Sequence, residues 1–302
     1  MDLKSKIILI FGPTASGKSN FAIQIAKKLN GEIINADSIQ IYKELKILSA
    51  RPLKNDLKNI KHHLYGFQNV KKNFSTGNWL KLVNKKIIDL KRRKKTPILV
   101  GGTGLYFKAL TDGLVKIPKI PNKLRNQTRS LHAKIGSKKF FSKLVKLDPL
   151  SRNHINSSDT QRSIRAYEIK LFTNKSMYEW FKNTKSKYEK EDFYKIYIDC
   201  PRAQLLERIK IRAHQMVNKG AVQEVKRFLK IKIPKSRSAN KAIGISEVRD
   251  YIDKKIQIED VIEKISIKTR QYAKRQSTWG RGNMLDWNKI DPNSLNKFLK
   301  KI

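Results

Sequence analysis

The sequence predicts an α/β protein with a parallel sheet core and a helical insertion. Three observations lead to this fold class. Short apolar runs rich in β-branched residues alternate with segments of helical spacing, the order found in parallel sheets. A glycine-rich loop directly follows the first run, and strand patterns fade between residues 113 and 191. We therefore expect residues 1–112 and 192–302 to form the core with C-terminal helices, and residues 113–191 to form the insertion.

The first half of the core is predicted from five segments. Residues 7–11 form a short apolar run typical of a buried strand, and residues 19–29 have helical spacing. Residues 32–36 predict a second strand. Residues 80–90 again have helical period, and residues 97–100 predict a third buried strand that ends in glycines.

The second half of the core resumes after the insertion. Residues 195–199 predict a strand that leads into a long helix over residues 202–219, which Gly220 ends. The stretch from residue 256 to residue 279 predicts a further helix, followed by a short irregular end.

The composition indicates a polyanion partner. The chain has 67 Lys and Arg against 25 Asp and Glu, a net charge of +42, which makes nucleic acid the first candidate. Fifty of these residues are Lys, and Ile and Asn are also abundant. The codon bias of an AT-rich genome therefore remains an alternative explanation for much of the excess.

The same composition excludes several protein classes. A hydrophobic content of 39% argues against generic disorder, and a single cysteine, Cys200, excludes a disulfide scaffold. No stretch approaches the ~18 apolar residues of a membrane span. We therefore expect a cytoplasmic protein without a membrane segment.

The loop after the first strand carries a phosphate-binding motif. The pattern G-x4-G-K-[ST] is matched by Gly12, Pro13, Thr14, Ala15, Ser16, Gly17, Lys18 and Ser19. A strand before the motif and a helix after it supply the context that it needs. Loop N–H groups would surround phosphate oxygens, Lys18 would add positive charge, and the Ser19 hydroxyl suits Mg²⁺. The predicted core is therefore P-loop NTPase-like.

Asp37 is a candidate catalytic residue at the end of the second predicted strand. Carboxyl ends of strands line the ligand crevice in such sheets, so a carboxylate here can deprotonate or orient an acceptor nucleophile. The third strand ends in Gly101 and Gly102 and offers no Walker-B acid. Capping of a following helix by Asp37 is the alternative. The arrangement favours transfer to a bound acceptor over nucleotide hydrolysis.

Arg208 and Arg212 are candidates for a second contact with the phosphates. They lie four residues apart and share one face of the predicted helix. From there they could reach the phosphates opposite the loop, as lid arginines do in kinases. The alternative is surface ion pairing with Glu207 or Glu224.

Seven sequence blocks, in order, resemble one enzyme family. They are residues 12–19, 35–42, 62–64, 99–106, 159–162, 242–244 and 269–279. Together they resemble the bacterial tRNA dimethylallyltransferases, the isopentenyl-tRNA transferase family, from about Lys6 to Arg281. Seven ordered blocks are far more specific than a phosphate loop alone.

The resemblance implies a prenyl transfer. Dimethylallyl diphosphate would be the donor, and N6 of the adenine 3′ of the anticodon would be the acceptor, in tRNAs that read codons beginning with U. Diphosphate would leave with the assistance of Mg²⁺. Asp37 would act as general base, with Ser19 and Thr103 beside the reacting atoms. The phosphate loop, Arg208 and Arg212 would hold the diphosphate.

The resemblance also implies a set of tRNA contacts in both parts of the chain. Besides Asp37 and Thr103, these are Ser38, Ile39, Gln40, Arg125, Gln161, Arg162, Ser163, Ile164, Arg165, Lys241, Ala242, Ile243 and Gly244. Without the resemblance, the segment that carries Arg162 and Arg165 would be interpreted as a solvated helix face. The partner is expected to be the anticodon stem-loop, bound by a monomer.

The chain departs from the family pattern at a few positions. Leu48 stands where the family usually has a glycine, and Gly280 follows Trp279 where an aromatic residue is common. These departures concern tRNA contacts and leave the phosphate loop and Asp37 unchanged.

Two other function classes explain part of the sequence. A small-molecule kinase that uses ATP explains the loop and Asp37 but not the arginine clusters or the late blocks. A non-enzymatic RNA-binding protein explains the charge but not the intact loop together with Asp37.

Overall fold

The computed structural model describes residues 3–52, 57, 59–182, 184–234 and 236–301. The chain divides into two units. The first comprises Met1–Thr111 with Tyr188–Ile302, and the second comprises Asp112–Lys187. The second unit thus ends a few residues before the predicted limit of the insertion at residue 191.

A six-stranded parallel sheet organises the first unit. The strands are β1 (Ile7–Phe11), β2 (Gly31–Asn35), β3 (His62–His63), β4 (Thr96–Gly101), β5 (Phe193–Ile198) and β6 (Asn288–Ile290). Their order is β3-β2-β4-β1-β5-β6, and every neighbouring pair is parallel. The predicted α/β class and its four predicted strands are confirmed, with bounds shifted by one or two residues.

The first unit contains helices that pack on the two faces of this sheet and helices that pack mainly on one another. They are α1 (Lys18–Lys28), α2 (Thr76–Arg92) and α3 (Gly104–Thr111) before the second unit. After it come α7 (Arg202–Asn218), α8 (Ala221–Lys230), α9 (Ile245–Ile252), α10 (Ile258–Asn283) and α11 (Leu295–Lys301). The helices predicted over residues 19–29, 80–90 and 202–219 are confirmed as α1, α2 and α7.

Alternate residues of β1 support two different cores. Ile7, Leu9 and Phe11 pack on one face with residues of α2 and α3, whereas Ile8 and Ile10 pack on the other with residues of α1. All five side chains are fully buried, because a central parallel strand is covered on both faces. The uninterrupted apolar run thus fixes β1 in the middle of the sheet.

The C-terminal part differs from the predicted helix with an irregular end. Helix α10 continues past Trp279 to Asn283, and β6 and α11 follow it. The prediction was wrong because β6 has only three residues and depends on its pairing with β5, where Ile198 lies opposite Ile290. A strand of this length is too short for a recognisable alternation.

The second unit is helical, as predicted. It contains α4 (Asn122–Leu147), α5 (Thr160–Thr173) and α6 (Met177–Lys182), which pack around buried residues such as Phe140 and Ile169. Asp159 caps α5 by accepting a hydrogen bond from the Arg162 N–H at 3.0 Å. Within the described ranges of both units, no helix has the length and apolarity needed to cross a bilayer.

Candidate active site

The phosphate loop leaves β1 at Phe11 and enters α1 at Lys18. Gly17 has a φ of 88°, in the left-handed region that favours glycine. A side chain at Gly12 would place its Cβ 2.9 Å from the Ser16 Oγ, so only glycine allows this tight path. The Lys18 Nζ donates a hydrogen bond to the Pro13 carbonyl at 3.0 Å. The loop is therefore held closed by its own lysine.

Asp37 lies at the carboxyl end of β2, in a turn built by Asn35. The Asn35 Oδ1 accepts a hydrogen bond from the Asp37 N–H at 2.9 Å, and its amide donates to the Asp37 carbonyl at 3.0 Å. Asp37 Oδ1 accepts the N–H groups of Ile39 and Gln40 at 2.8 and 3.2 Å. Residues 38–52 contain no α-helix, so the carboxylate orders a turn and the helix-capping alternative is wrong.

Thr103 lies in the turn after β4, beside the Asp37 turn. Its N–H donates to the Ala36 carbonyl at 3.2 Å, and its Oγ1 accepts the Ser38 N–H at 3.0 Å. A Cβ on Gly101 would stand 2.1 Å from the Ala36 oxygen. The glycines at the end of β4 therefore let the two strand ends approach closely.

Helix α7 brings two arginines to the loop. Arg212 donates from NH1 to the Thr14 Oγ1 at 2.9 Å. Arg208 lies near Gly17, with NH1 3.8 Å from the position that a Cβ there would take. Glu224 instead accepts the backbone N–H groups of residues 46–48 at 2.7 to 2.9 Å. Its carboxylate is therefore committed to that turn.

The electrostatics of the site favour an anion. Burial and, to a smaller extent, the charge of Arg212 lower the pKa of Lys18 to about 8, although Asp37 opposes both effects. Burial also lowers the pKa of Arg212, again against the charge of Asp37. Lys18 and Arg212 are both poorly solvated cations. A bound polyanion would stabilise their charged forms, because its negative charge compensates for the lost solvation.

A cavity of about 1030 Å³ connects these groups. Its walls include most of the predicted site residues of the first unit, namely Thr14, Ala15, Gly17, Lys18, Ser19, Asp37, Ser38, Ile39, Gln40, Thr103, Arg208, Arg212, Lys241, Ala242 and Ile243. Gly12, Pro13 and Ser16 are buried in the loop, and Gly244 is buried against Leu48. Leu48, the departure from the family pattern, thus packs on a glycine elsewhere in the chain.

The predicted tRNA contacts of the second unit fall into two groups. Arg125 and Arg165 lie 3.6 and 3.5 Å from the buried carboxylate of Glu168, and Arg162 is exposed. Ser163, in contrast, is buried. Its placement does not support the direct contact that was expected for the whole segment, because positions three or four residues apart on a helix share a face, and Ser163 lies on the inward face of α5 with Ala166 and Tyr167.

Sequence reasoning missed the role of helix α10 in building the site. The Gln276 side chain accepts the Thr14 N–H at 2.8 Å and donates to the Gly102 carbonyl at 2.9 Å. Trp279 packs on Gly104 and on the Phe11 ring, so it acts as a packing residue. Only membership of the last sequence block pointed to Gln276, because no local pattern distinguishes it.

The fold and the site define a P-loop α/β protein with a carboxylate and a large cavity beside the phosphate loop. A family model described as IPP transferase matches residues 40–283, well over half of the chain. The chain belongs to the IPP transferase family.

Full-length relatives agree with this membership. The chain is 58% identical over 302 residues to a tRNA dimethylallyltransferase of Pelagibacter ubique, covering 100% of this chain and 96% of that protein. A tRNA isopentenylpyrophosphate transferase from Bacillus halodurans is 30% identical, with a TM-score of 0.70 over 98% of this chain and 95% of that one. A eukaryotic dimethylallyltransferase acting on tRNA is 29% identical, with a TM-score of 0.82 over 95% of this chain and 74% of that one.

Proposed function

We propose that this protein transfers the dimethylallyl group from dimethylallyl diphosphate to N6 of the adenine 3′ of the anticodon. The acceptors would be tRNAs that read codons beginning with U, and diphosphate would be released. The observation that carries the proposal is that the phosphate loop, Arg212 and Asp37 all line one cavity. Family membership and the close dimethylallyltransferase relatives support the same activity.

The loop side of the cavity suits the diphosphate of the donor. When the allylic C1–O bond breaks, the electron pair leaves with the diphosphate, whose negative charge grows. Loop N–H groups, Lys18, Arg208 and Arg212 stabilise that charge where it develops, which lowers the barrier.

The residues present fit an assisting Mg²⁺. Ser19 offers a hydroxyl at the start of α1, and hard oxygen ligands are what Mg²⁺ prefers. Because β4 ends in Gly101 and no carboxylate follows it directly, diphosphate oxygens and water would supply the other ligands. When bound, Mg²⁺ would neutralise charge on the diphosphate.

Asp37 suits the acceptor side. The N6 lone pair of adenine attacks the allylic carbon, an N–C bond forms, and an N6 proton must leave. Both hydrogen bonds that described residues make to the Asp37 carboxylate end on Oδ1, which leaves Oδ2 to accept that proton. The adenine must leave its stack at a cost of a few kcal/mol, and Ser38, Ile39 and Thr103 would hold it.

The rest of the tRNA would be bound through cationic and polar groups of both units. Lys241 and its neighbours line the cavity wall, and Arg162 is exposed at the start of α5. Phosphate contacts of this kind release counterions, so binding should weaken steeply with salt. A monomer in the cytoplasm fits this role.

The test is a reaction of purified protein with Mg²⁺, unmodified tRNA and labelled dimethylallyl diphosphate. Digestion to nucleosides and mass analysis should show dimethylallyl-adenosine beside the anticodon. Absence of label in RNA, with phosphate transferred from ATP to a small acceptor instead, would overturn the proposal in favour of a kinase.

A further inference from the structure

Gln276 links the phosphate loop to the turn after β4, two segments that border the cavity. Its Oε1 accepts the N–H of Thr14 in the phosphate loop at 2.8 Å, and its Nε2 donates to the carbonyl of Gly102 after β4 at 2.9 Å. The side chain is 5% exposed, so water does not replace these bonds when they are lost. One amide therefore connects the donor side of the site with the turn that carries Thr103.

The Gln276 side chain comes so close to the backbone at Gly102 that a side chain at this position would clash. A Cβ on Gly102 would lie 2.0 Å from the Gln276 Nε2, so only glycine permits the bond to the Gly102 carbonyl. On the loop side, the Thr14 N–H donates its hydrogen bond to the Gln276 side chain. The peptide plane at Thr14 is thereby fixed, and with it the direction of the N–H groups that follow.

Tyr272, one helical turn earlier, extends the connection. Burial raises the pKa of its hydroxyl, and the nearby side chains of Gln276 and Thr103 oppose that rise. The Thr103 Oγ1 in turn accepts the N–H of Ser38, the residue after Asp37. The bonds of Gln276 to Thr14 and Gly102, and that of Ser38 to Thr103, thus connect the phosphate loop to the turn of the proposed base.

We propose that Gln276 is a positioning residue that sets the phosphate loop and the Thr103 turn in a fixed relation, so that donor and acceptor meet in line. The inference rests on the proposed function for the meaning of the two sides. Its physical basis is that the part-buried Thr14 N–H and the buried Gly102 carbonyl lose a hydrogen-bond partner together when Gln276 is replaced.

The variant Gln276→Met keeps the length of the side chain and removes both bonds. Binding of inorganic diphosphate, measured by calorimetry without RNA, should weaken ~5–20-fold, because the loop N–H groups lose their orientation. The kcat for prenyl transfer should fall ~10–100-fold. Gln223→Met makes the same chemical change on the exposed face of α8, and both quantities should stay within about 2-fold of the wild type.

Tyr272→Phe tests the acceptor side, at the Thr103 turn, separately from the donor side at the phosphate loop. It keeps the bonds of Gln276 to Thr14 and Gly102 and removes the hydroxyl that lies near Thr103 and the Gln276 side chain, so diphosphate affinity should stay within about 2-fold while kcat falls ~5–10-fold. A purely structural role would lower the melting temperature of these variants and leave the constants per folded molecule unchanged. That result would overturn the inference, as would wild-type diphosphate binding and turnover by Gln276→Met.

The experiment also separates this inference from the proposed function. If the wild type transfers no prenyl group but Gln276→Met binds diphosphate at least ~5-fold more weakly, the function fails and the ordering of the loop by Gln276 stands. If the wild type prenylates tRNA and Gln276→Met matches it in both measurements, the function stands and the inference fails.

Discussion

Replacing Asp37 by Asn tests the proposed general base with little disturbance of the fold. An Asn retains an oxygen that can accept the N–H groups of Ile39 and Gln40, which Asp37 Oδ1 accepts at 2.8 and 3.2 Å. The turn should therefore persist, and the free energy of unfolding should change by less than ~1 kcal/mol. What the variant loses is the ability to take the N6 proton.

The expected loss follows from that difference. General-base catalysis contributes ~10²–10⁴-fold, equivalent to ~3–5 kcal/mol of transition-state stabilisation. A single-turnover assay with enzyme in excess over tRNA reports the chemical step, and equilibrium binding of the same tRNA reports the ground state. Turnover should fall by the stated factor while the Kd for tRNA stays within ~3-fold.

Asp253→Asn is the matched control, because Asp253 is exposed at the end of α9 and, among the described residues, forms an ion pair only with the exposed Lys255 at 3.3 Å. It should leave rate and binding unchanged. Equal losses of tRNA affinity and turnover in Asp37→Asn would refute the reasoning, since they would assign the carboxylate to substrate binding alone.

Three further predictions concern Lys18 in the phosphate loop, Gly101 at the end of β4 and the ion pair of Glu32 on β2. Because burial lowers the pKa of Lys18 to about 8, diphosphate binding by the wild type should weaken by up to ~10-fold as pH rises through that value, whereas Lys18→Arg should lack this step. Gly101→Ala should destabilise the fold by ~1–3 kcal/mol in urea denaturation, because its Cβ would stand 2.1 Å from the Ala36 carbonyl oxygen. Glu32→Gln should cost about 3 kcal/mol at pH 7, because Arg93 donates two hydrogen bonds to Glu32 at 2.7 and 3.0 Å. The pairing with Arg93 lowers the pKa of Glu32 from 4.5 to about 2, so this contribution is complete above pH 4.5 and is lost as pH falls towards 2.

Each of these predictions has a control on the same chain. Lys27→Arg, exposed on α1, should retain the wild-type pH profile of diphosphate binding. Gly282→Ala meets open space within α10 and should stabilise the protein by ~0.5–1 kcal/mol. Glu207→Gln is exposed and should leave stability unchanged at every pH. A wild-type response in the test variants, or a matching response in these controls, would contradict the corresponding prediction.

The sequence predicted those parts of the fold whose causes are local. The run from Ile7 to Phe11 is apolar throughout because β1 is covered on both faces, and the loop after it has its own motif. Strand β3 consists only of His62 and His63, and its register depends on β2. No periodicity can identify a strand of two residues, so β3 was not predicted.

The same distinction applies to the site. Asp37 was predicted because it ends a strand next after the phosphate loop, a relation visible along the chain. Gln276 was missed because Thr14, which it contacts, lies 262 residues away in sequence. Ser163 was expected to contact tRNA because the resemblance covers its segment as a whole, but the helical period turns it inward.

The strand order has a consequence for how the chain folds while it is being synthesised. Strand β1 is translated long before one of its two neighbours, β5, which begins only at Phe193. Until β5 has been made, the backbone N–H and C=O groups along one side of β1 lack a partner strand. The phosphate loop also lacks the contacts of α7 and α10 that hold it in place. A nascent chain halted before residue 193 should therefore be a substrate for chaperones rather than a diphosphate-binding protein. The phosphate loop is translated before α7 and α10, so it gains their support only after both helices have been made.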